Sequence, residues 1–143
     1  YTTLFRSNRK RCWTVWWLRG DFLLDFIFVG LGGFLGAVLR YVLTLIPTKN
    51  PQPFPVITLL INVLGSLCIG LIALWMSKNS NLNSRLILFL KVGICGGFTT
   101  FSTFSLETVG LIKSGHIVLA LVYVLLSTVL GVLACFLPQC AVK

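Results

Sequence analysis

Three features of the sequence predict an all-α membrane protein with four transmembrane helices. Of 143 residues, 57% are hydrophobic and only three are Asp or Glu, which is too little charge to cover a soluble domain. A membrane-spanning helix needs about 20 apolar residues, and four such stretches fill most of the chain. Polar or proline-containing segments separate these stretches.

The spans follow from this punctuation, and we predict them at Phe22 to Ile46, Val56 to Met76, Leu86 to Ile112 and Ile117 to Leu137. The first loop contains four prolines, which cannot continue a helix. The second loop is the polar run 77–85. The third is the tight turn 113–116, which makes the last two spans antiparallel neighbours.

The amino end differs from the rest, so we divide the chain into a basic, Trp-rich extension (1–25) and a transmembrane domain (26–143). Arg19, Asp21 and Asp25 interrupt any signal-peptide core, so we expect no cleavage. The tryptophans suit an interfacial segment at headgroup level.

Net charge and cysteine pattern exclude two other classes. The net charge is +9, but the basic residues cluster at span ends, which indicates contact with lipid headgroups and not nucleic acid. The five cysteines show no paired metal spacing, so we expect free thiols and neither a zinc site nor a disulfide framework.

Spans one and two carry the first candidate residues. Gly32 and Gly36 form a small-xxx-small pair, typical of close helix packing. Arg40 lies near the end of the first span, where it would either attract an anion or bond to the ends of neighbouring helices. Asn62 must point at protein or water, as a bond between helices or as a donor to a path.

The third span is the most informative, because two glycines, six hydroxyl residues and Glu107 interrupt it. Polar or irregular backbone at membrane depth survives only when buried in protein or lining a wet path. We expect residues 96–99 to depart from helix and to free carbonyls for a small cation. Glu107 would pair across an interface or hold this break.

Aromatic rings in the same span favour an ion path. Phe101 and Phe104 share one helix face, and the positive edge of a phenyl ring can stabilise an anion. Hydroxyls surround them at Thr100, Ser102, Thr103, Ser105 and Thr108. In the fourth span Tyr123 and Ser127 also share a face, which fits either a lined path or helix packing.

The chain resembles the Fluc (CrcB) family of fluoride channels over about residues 30–137. The resemblance is carried by Gly33 to Tyr41, by Thr58 to Gly65 and by Gly96 to Ser105, in the right order and spacing. Ile57 departs from the family pattern, which often has glycine before the threonine-leucine pair.

This resemblance implies an antiparallel, dual-topology dimer with two fluoride paths along the subunit interface and a central structural sodium ion. The backbone carbonyls of Gly96 and Thr99 would hold the sodium. The residues implied for the fluoride path are Asn62, Phe101, Ser102, Thr103, Phe104, Tyr123 and Ser127. Vestibule or structural polar roles are implied for Arg40, Thr100 and Glu107.

Charge counts bear on orientation in the cell membrane. The amino end, second loop and carboxyl end carry eight or nine basic residues, against two in the other loops, which predicts cytoplasmic termini and a fixed orientation. Without the amino end, three or four basic residues lie on one side and two on the other, so insertion of the chain in both orientations is also possible. A homodimer and a paired homologous subunit are therefore both compatible with the sequence.

Two alternatives to a channel stay open at this stage. One is a proton-coupled transporter of a small anion, with Glu107 as its proton site. The other is an accessory membrane subunit that only packs through its glycines. We do not expect an enzyme, because the single histidine, His116, lies in a turn and no nucleophile, base and orienting group are evident.

Overall fold

A computed structural model describes residues 22–46, 54–79 and 81–141, and regular structure in these ranges is entirely helical. The helices are α1 (Phe22–Thr44), α2 (Val56–Lys78), α3 (residues 84–98), α4 (Phe101–Lys113) and α5 (Ile117–Phe136), with a closing 3-10 turn at Leu137–Ala141. Helices α3 and α4 together form the third span.

All four predicted spans are confirmed. The segments Phe22–Thr44, Val56–Lys78, Ser84–Lys113 and Ile117–Cys140 are each long and apolar enough to cross a membrane. Most of the proposed extension, residues 1–21, lies outside the described ranges, and Phe22 to Asp25 belong to α1.

The third span is irregular at two places. Within α3, Leu88–Cys95 has the wide hydrogen bonding of a π-helix, which the sequence did not predict. Between α3 and α4 the backbone is extended at Thr99 (φ −79°, ψ 152°) and Thr100 (φ −146°, ψ 112°).

The expectation that residues 96–99 depart from helix is wrong for Gly96–Phe98, which is helical, whereas Thr99 is extended. The physical reason is close packing of this turn on α1. A methyl group at Gly97 would overlap the Gly33 carbonyl oxygen, so the two backbones touch and hold the turn in place.

Glycines bring α1 and α3 into direct backbone contact. A methyl at Gly32 would overlap the Phe89 carbonyl oxygen, and one at Gly36 would overlap the Ile94 carbonyl oxygen. The contact is reciprocal, since a Cβ at Gly93 would lie 2.8 Å from the Cα of Gly32. The packing role predicted for Gly32 and Gly36 is confirmed.

Helix α2 packs mainly on α5, and the turn between α4 and α5 makes these two helices neighbours as predicted. Gly115 in that turn has φ 83°, a left-handed conformation that glycine adopts without strain. The buried cluster formed here comprises Leu59, Leu111, Ala120 and Tyr123. Most other large apolar side chains point outward, as expected for a protein surrounded by lipid.

Candidate functional site

An open groove of about 380 Å³ runs along the irregular part of the third span. Helices α2, α3, α4 and α5 all contribute side chains to it. Its lining includes Asn62, Ser66, Lys91, Cys95, Gly96, Thr99, Thr100, Phe101, Phe104, Ser127 and Thr128. The groove therefore brings together residues from all three of the later spans.

Asn62 holds the extended backbone at the centre of the groove. Its Oδ1 accepts a hydrogen bond from the Thr100 amide at 2.9 Å, and its Nδ2 donates to the Thr100 carbonyl at 3.2 Å. In a continuous helix the Thr100 amide would donate to the carbonyl of Gly96. Asn62 thus takes the place of a helical partner, and the Gly96 carbonyl loses its usual donor.

Thr100 then begins α4 as its N-cap. Its hydroxyl accepts a hydrogen bond from the Thr103 amide at 3.2 Å and lies 3.0 Å from the Thr103 hydroxyl and 3.2 Å from the Ser102 hydroxyl. A threonine oxygen in this position satisfies a free amide of the first turn. Because the Thr103 amide bonds this hydroxyl, the Thr99 carbonyl also lacks the donor that an unbroken helix would supply.

Arg40 lies on the α1 side of the same region and donates from Nε to the Gly97 carbonyl oxygen at 3.2 Å. Of its two alternatives in the sequence, this contact supports the bond to a neighbouring helix. The guanidinium has further N–H donors besides Nε, so the contact leaves the rest of the group available.

Aromatic rings connect the groove to the interior of the bundle. The centroids of Phe101 and Phe104 are 5.7 Å apart, and those of Phe104 and Tyr123 are 5.1 Å apart. Phe54 meets Tyr123 edge-on at 5.5 Å. These separations are typical of stabilising aromatic pairs, and Phe104 is the ring shared by the groove and the buried cluster.

Beyond Phe104, both carboxylate oxygens of Glu107 accept hydrogen bonds. The Thr58 hydroxyl donates to Oε1 and the Tyr123 hydroxyl to Oε2, each at 2.7 Å. Thr58 and Tyr123 are buried, with exposed fractions of 4% and 0%. We call Thr58, Glu107 and Tyr123 the Glu107 cluster. The carboxylate of Glu107 is thus bonded within the chain, by one donor from α2 and one from α5.

A second cavity, of about 370 Å³, reaches Glu107 from the end of the bundle where the α4–α5 turn lies. Its lining includes Pro55, Leu111, Ser114 and His116. Phe104 lines the groove, and Glu107, the hydrogen-bond partner of Tyr123, lines the second cavity.

Ser127 is the groove residue whose hydrogen bonding is incomplete. Its hydroxyl oxygen is buried and has no hydrogen-bond partner among the described residues. The neighbouring Thr128 hydroxyl instead donates to the Val124 carbonyl of its own helix at 2.8 Å. A buried hydroxyl without a partner is costly, which makes Ser127 a candidate contact for a solute in the groove.

The structure divides the predicted site residues between several places. The groove contains Asn62, Gly96, Thr99, Thr100, Phe101, Phe104 and Ser127. Ser102 and Thr103 lie in the first turn of α4, and Arg40 lies on the contact between α1 and α3. Tyr123 and Glu107 belong to the Glu107 cluster, so Tyr123 and Ser127 do not line the groove together.

Sequence reasoning missed Thr58 and Lys91. Thr58 lies one helical turn before Asn62, and two polar side chains at that spacing in an apolar span share a face. That pattern could have indicated two contacts to the third span. Lys91 is the optional ninth residue in the count of eight or nine basic residues on the side of the termini, and no site role was predicted for it, although it lies inside α3 and lines the groove.

The family profile described as CrcB-like protein, Camphor Resistance (CrcB), matches residues 27–139. The chain belongs to the CrcB family. Three relatives named "Fluoride-specific ion channel FluC" illustrate the similarity. Those of Ruminiclostridium cellulolyticum, Novosphingobium aromaticivorans and Flavobacterium psychrophilum are 48%, 47% and 44% identical. The alignments cover 73%, 77% and 75% of this chain and 82%, 89% and 87% of the relatives. The names of these CrcB proteins describe channels, not enzymes.

Proposed function

We propose that this chain is the subunit of a fluoride-specific ion channel that lowers cytoplasmic fluoride by passive efflux. Membership of the CrcB family and the channel names of its relatives support the function. The observation that carries the mechanism is the groove at the interrupted third span, where Asn62 fixes an extended backbone beside two phenyl rings. We place the protein in the plasma membrane.

Fluoride is small and strongly hydrated, so a path must replace its water with closely spaced donors. Asn62 uses one N–H of its side-chain amide on the Thr100 carbonyl and has a second to donate. The Ser127 hydroxyl has no hydrogen-bond partner in the part of the chain that the structure describes. The edges of Phe101 and Phe104 add positive potential without a fixed charge. These groups suit a halide better than a bulky or cationic solute.

The two cavities define a route in this proposal. Fluoride would leave the groove past Phe104 and reach the second cavity beside the Glu107 cluster, with Ser102 and Thr103 at the start of α4 and Tyr123 as a hydroxyl donor. The carboxylate of Glu107 already accepts two hydrogen bonds and orients both hydroxyls. Because a hydroxyl has a single proton, Tyr123 would donate to fluoride by exchanging its bond to Oε2 for one to the anion, and Glu107 would hold the hydroxyl in place without binding the anion directly.

A second subunit would complete the path. The exposed fraction of Phe101 is 79%, and the groove is open along its length. An antiparallel copy, or a homologous subunit, packed on this face would cover the ring and close two equivalent grooves. Closure would also exclude lipid from a polar surface that a membrane otherwise disfavours.

A structural sodium ion fits the same face. In an unbroken helix the Gly96 and Thr99 carbonyls would accept hydrogen bonds from the Thr100 and Thr103 amides. These amides instead bond the side chains of Asn62 and Thr100, and carbonyl oxygens suit a hard cation. The space beside Gly96 is open. Two such pairs, one from each subunit, would hold the ion. When bound it would supply a positive charge that lowers the cost of nearby anions.

Passive efflux suffices energetically, because an inside-negative potential favours anion exit by about 2.3 kcal/mol per 100 mV. The decisive test is fluoride release from liposomes containing the purified protein, with chloride as the control anion. We expect fluoride release without chloride release. Liposomes that hold fluoride as well as protein-free ones would refute the function.

Variants extend this test to the site. We expect Phe104→Ile to slow fluoride release strongly, and the matched control Phe34→Ile, a ring 66% exposed on α1, to leave it unchanged. An accessory subunit predicts no effect of either variant. A proton-coupled transporter predicts that an imposed pH gradient drives fluoride uphill, whereas a channel dissipates a fluoride gradient at any pH difference.

A further inference from the structure

Lys91 differs from the other groove residues because it brings a full positive charge to a membrane-embedded surface. It lies seven residues into α3, about 10 Å along the axis from Ser84. Its side chain is exposed, and it lines the groove that holds Asn62 and Thr100. Placing a lysine at this depth costs free energy unless its ammonium group interacts with a solute or another residue, or reaches the lipid headgroups.

The charge of Lys91 has no acidic counterpart among the described residues. Asp25 bonds Arg85, with Oδ1 to Nε at 3.3 Å. Glu107 accepts its two hydrogen bonds at the far side of Phe104. Both described carboxylates are thus committed elsewhere, and the field of Lys91 acts on the groove without compensation.

Lys91 lies near one end of the groove, on the side of the loop between α2 and α3. Helices α2 and α3 meet at the loop that follows Lys78, and Lys91 lies closer to that loop than the other α3 residues of the groove do. Asn62 lies six residues from the opposite end of α2. An anion that enters from the loop side therefore passes Lys91 before it reaches Asn62 and Thr100.

The π-helical stretch Leu88–Cys95 contains Lys91 and is a second, independent feature of this region. Such wide turns are often found at functional sites, because they change the direction of side chains relative to a regular helix. In this helix the two groove residues of the stretch are Lys91 and Cys95.

We infer that Lys91 is an anion-recruiting residue at the mouth of the groove, where its ammonium raises the local concentration of fluoride before the ion loses its water. The inference rests on the proposed channel function and adds a residue that sets the rate of conduction. Lys91 does not replace the hydration shell of the ion. Its role is electrostatic and acts at a distance.

The size of the effect depends on ionic strength. At a separation of roughly 10 Å, one unit charge changes the anion concentration about twofold in water and about 15-fold at an effective dielectric constant of about 20. The screening length is about 30 Å at 0.01 M salt and about 3 Å at 1 M. The contribution of Lys91 should therefore be large in dilute salt and small in concentrated salt.

The test is the single-channel fluoride current in planar bilayers of neutral phosphatidylcholine, at about 10 mM and about 1 M fluoride salt. We expect Lys91→Gln to lower the current about 3- to 10-fold in dilute salt and less than twofold in concentrated salt. Lys91→Arg should stay near the unmodified protein. The control Lys78→Gln, at the end of α2 but outside the groove, should lower the current less than Lys91→Gln in dilute salt and should not change it in concentrated salt.

The outcomes separate the inference from the function on which it rests. A silent unmodified protein would refute the channel itself. A conducting protein with an unchanged Lys91→Gln current in dilute salt would refute only the recruiting role, as expected if Lys91 merely anchored to headgroups. A loss of equal size at both concentrations would also overturn it, because a structural defect is not screened by salt.

Discussion

The bond pair between Asn62 and Thr100 makes a quantitative prediction for Asn62→Ala. The substitution removes both interhelical hydrogen bonds, at 2.9 Å and 3.2 Å. Bonds of this kind in membrane proteins contribute about 0.6 to 1.7 kcal/mol each, so we expect the free energy of unfolding to fall by about 1–3 kcal/mol. The lower end applies if the freed Thr100 amide returns to the Gly96 carbonyl.

The assay is equilibrium unfolding in mixed micelles, with rising SDS mole fraction and tryptophan fluorescence as the signal. The matched control is Ser66→Ala, one helical turn after Asn62 and in the same groove. The Ser66 hydroxyl makes no hydrogen bond within the described ranges, so its removal should shift the midpoint little. Equal midpoints for Asn62→Ala and the unmodified protein would refute the reasoning that Asn62 holds the extended backbone.

Two further predictions concern the packing of α1 on α3 and the hydrogen bonds to the Glu107 carboxylate. Gly32→Ala should weaken the contact of α1 with α3 by about 1–3 kcal/mol, because the new methyl group meets backbone atoms that cannot move aside. The control Gly30→Ala places its methyl group in open space and should leave the stability unchanged. Equal SDS midpoints for the two variants would contradict this prediction. Thr58→Ala and Tyr123→Phe should each cost about 1–3 kcal/mol by removing a donor to Glu107. Their double variant should deviate from additivity, and strictly additive losses would indicate that the carboxylate does not couple them.

The sequence was sufficient to locate the spans, because the bilayer imposes length and hydropathy on each helix independently. Prolines and polar loops then mark the ends. The π-helical stretch Leu88–Cys95 was not predictable in this way. Apart from Lys91 its residues are apolar, which fits either kind of helix, and the choice between them depends on packing against α1, which hydropathy does not describe.

The side-chain partners were harder to predict than the residues themselves. Glu107 was recognised as the sole acidic residue of a span core, but its donors come from α2 and α5, at sequence separations of 49 and 16 residues. Arg40 was left between two roles for the same reason, since the Gly97 carbonyl that it bonds is 57 residues away. Polarity identifies a candidate, whereas the packing of spans decides what the candidate bonds.

The extended backbone at Thr99 and Thr100 is stable in lipid because other helices supply hydrogen-bond partners that the third span no longer provides. A bilayer core offers no water to satisfy backbone groups. Asn62 from α2 takes both backbone groups of Thr100, and Arg40 from α1 takes the Gly97 carbonyl. Two further helices, α1 and α2, thus provide the hydrogen bonds that offset the loss of helical bonds at the interruption. The Asn62 bond to the Thr100 amide leaves the Gly96 carbonyl without its helical donor, and the Thr100 hydroxyl does the same to the Thr99 carbonyl by bonding the Thr103 amide. The contacts that stabilise the interruption therefore also leave polar backbone groups at it.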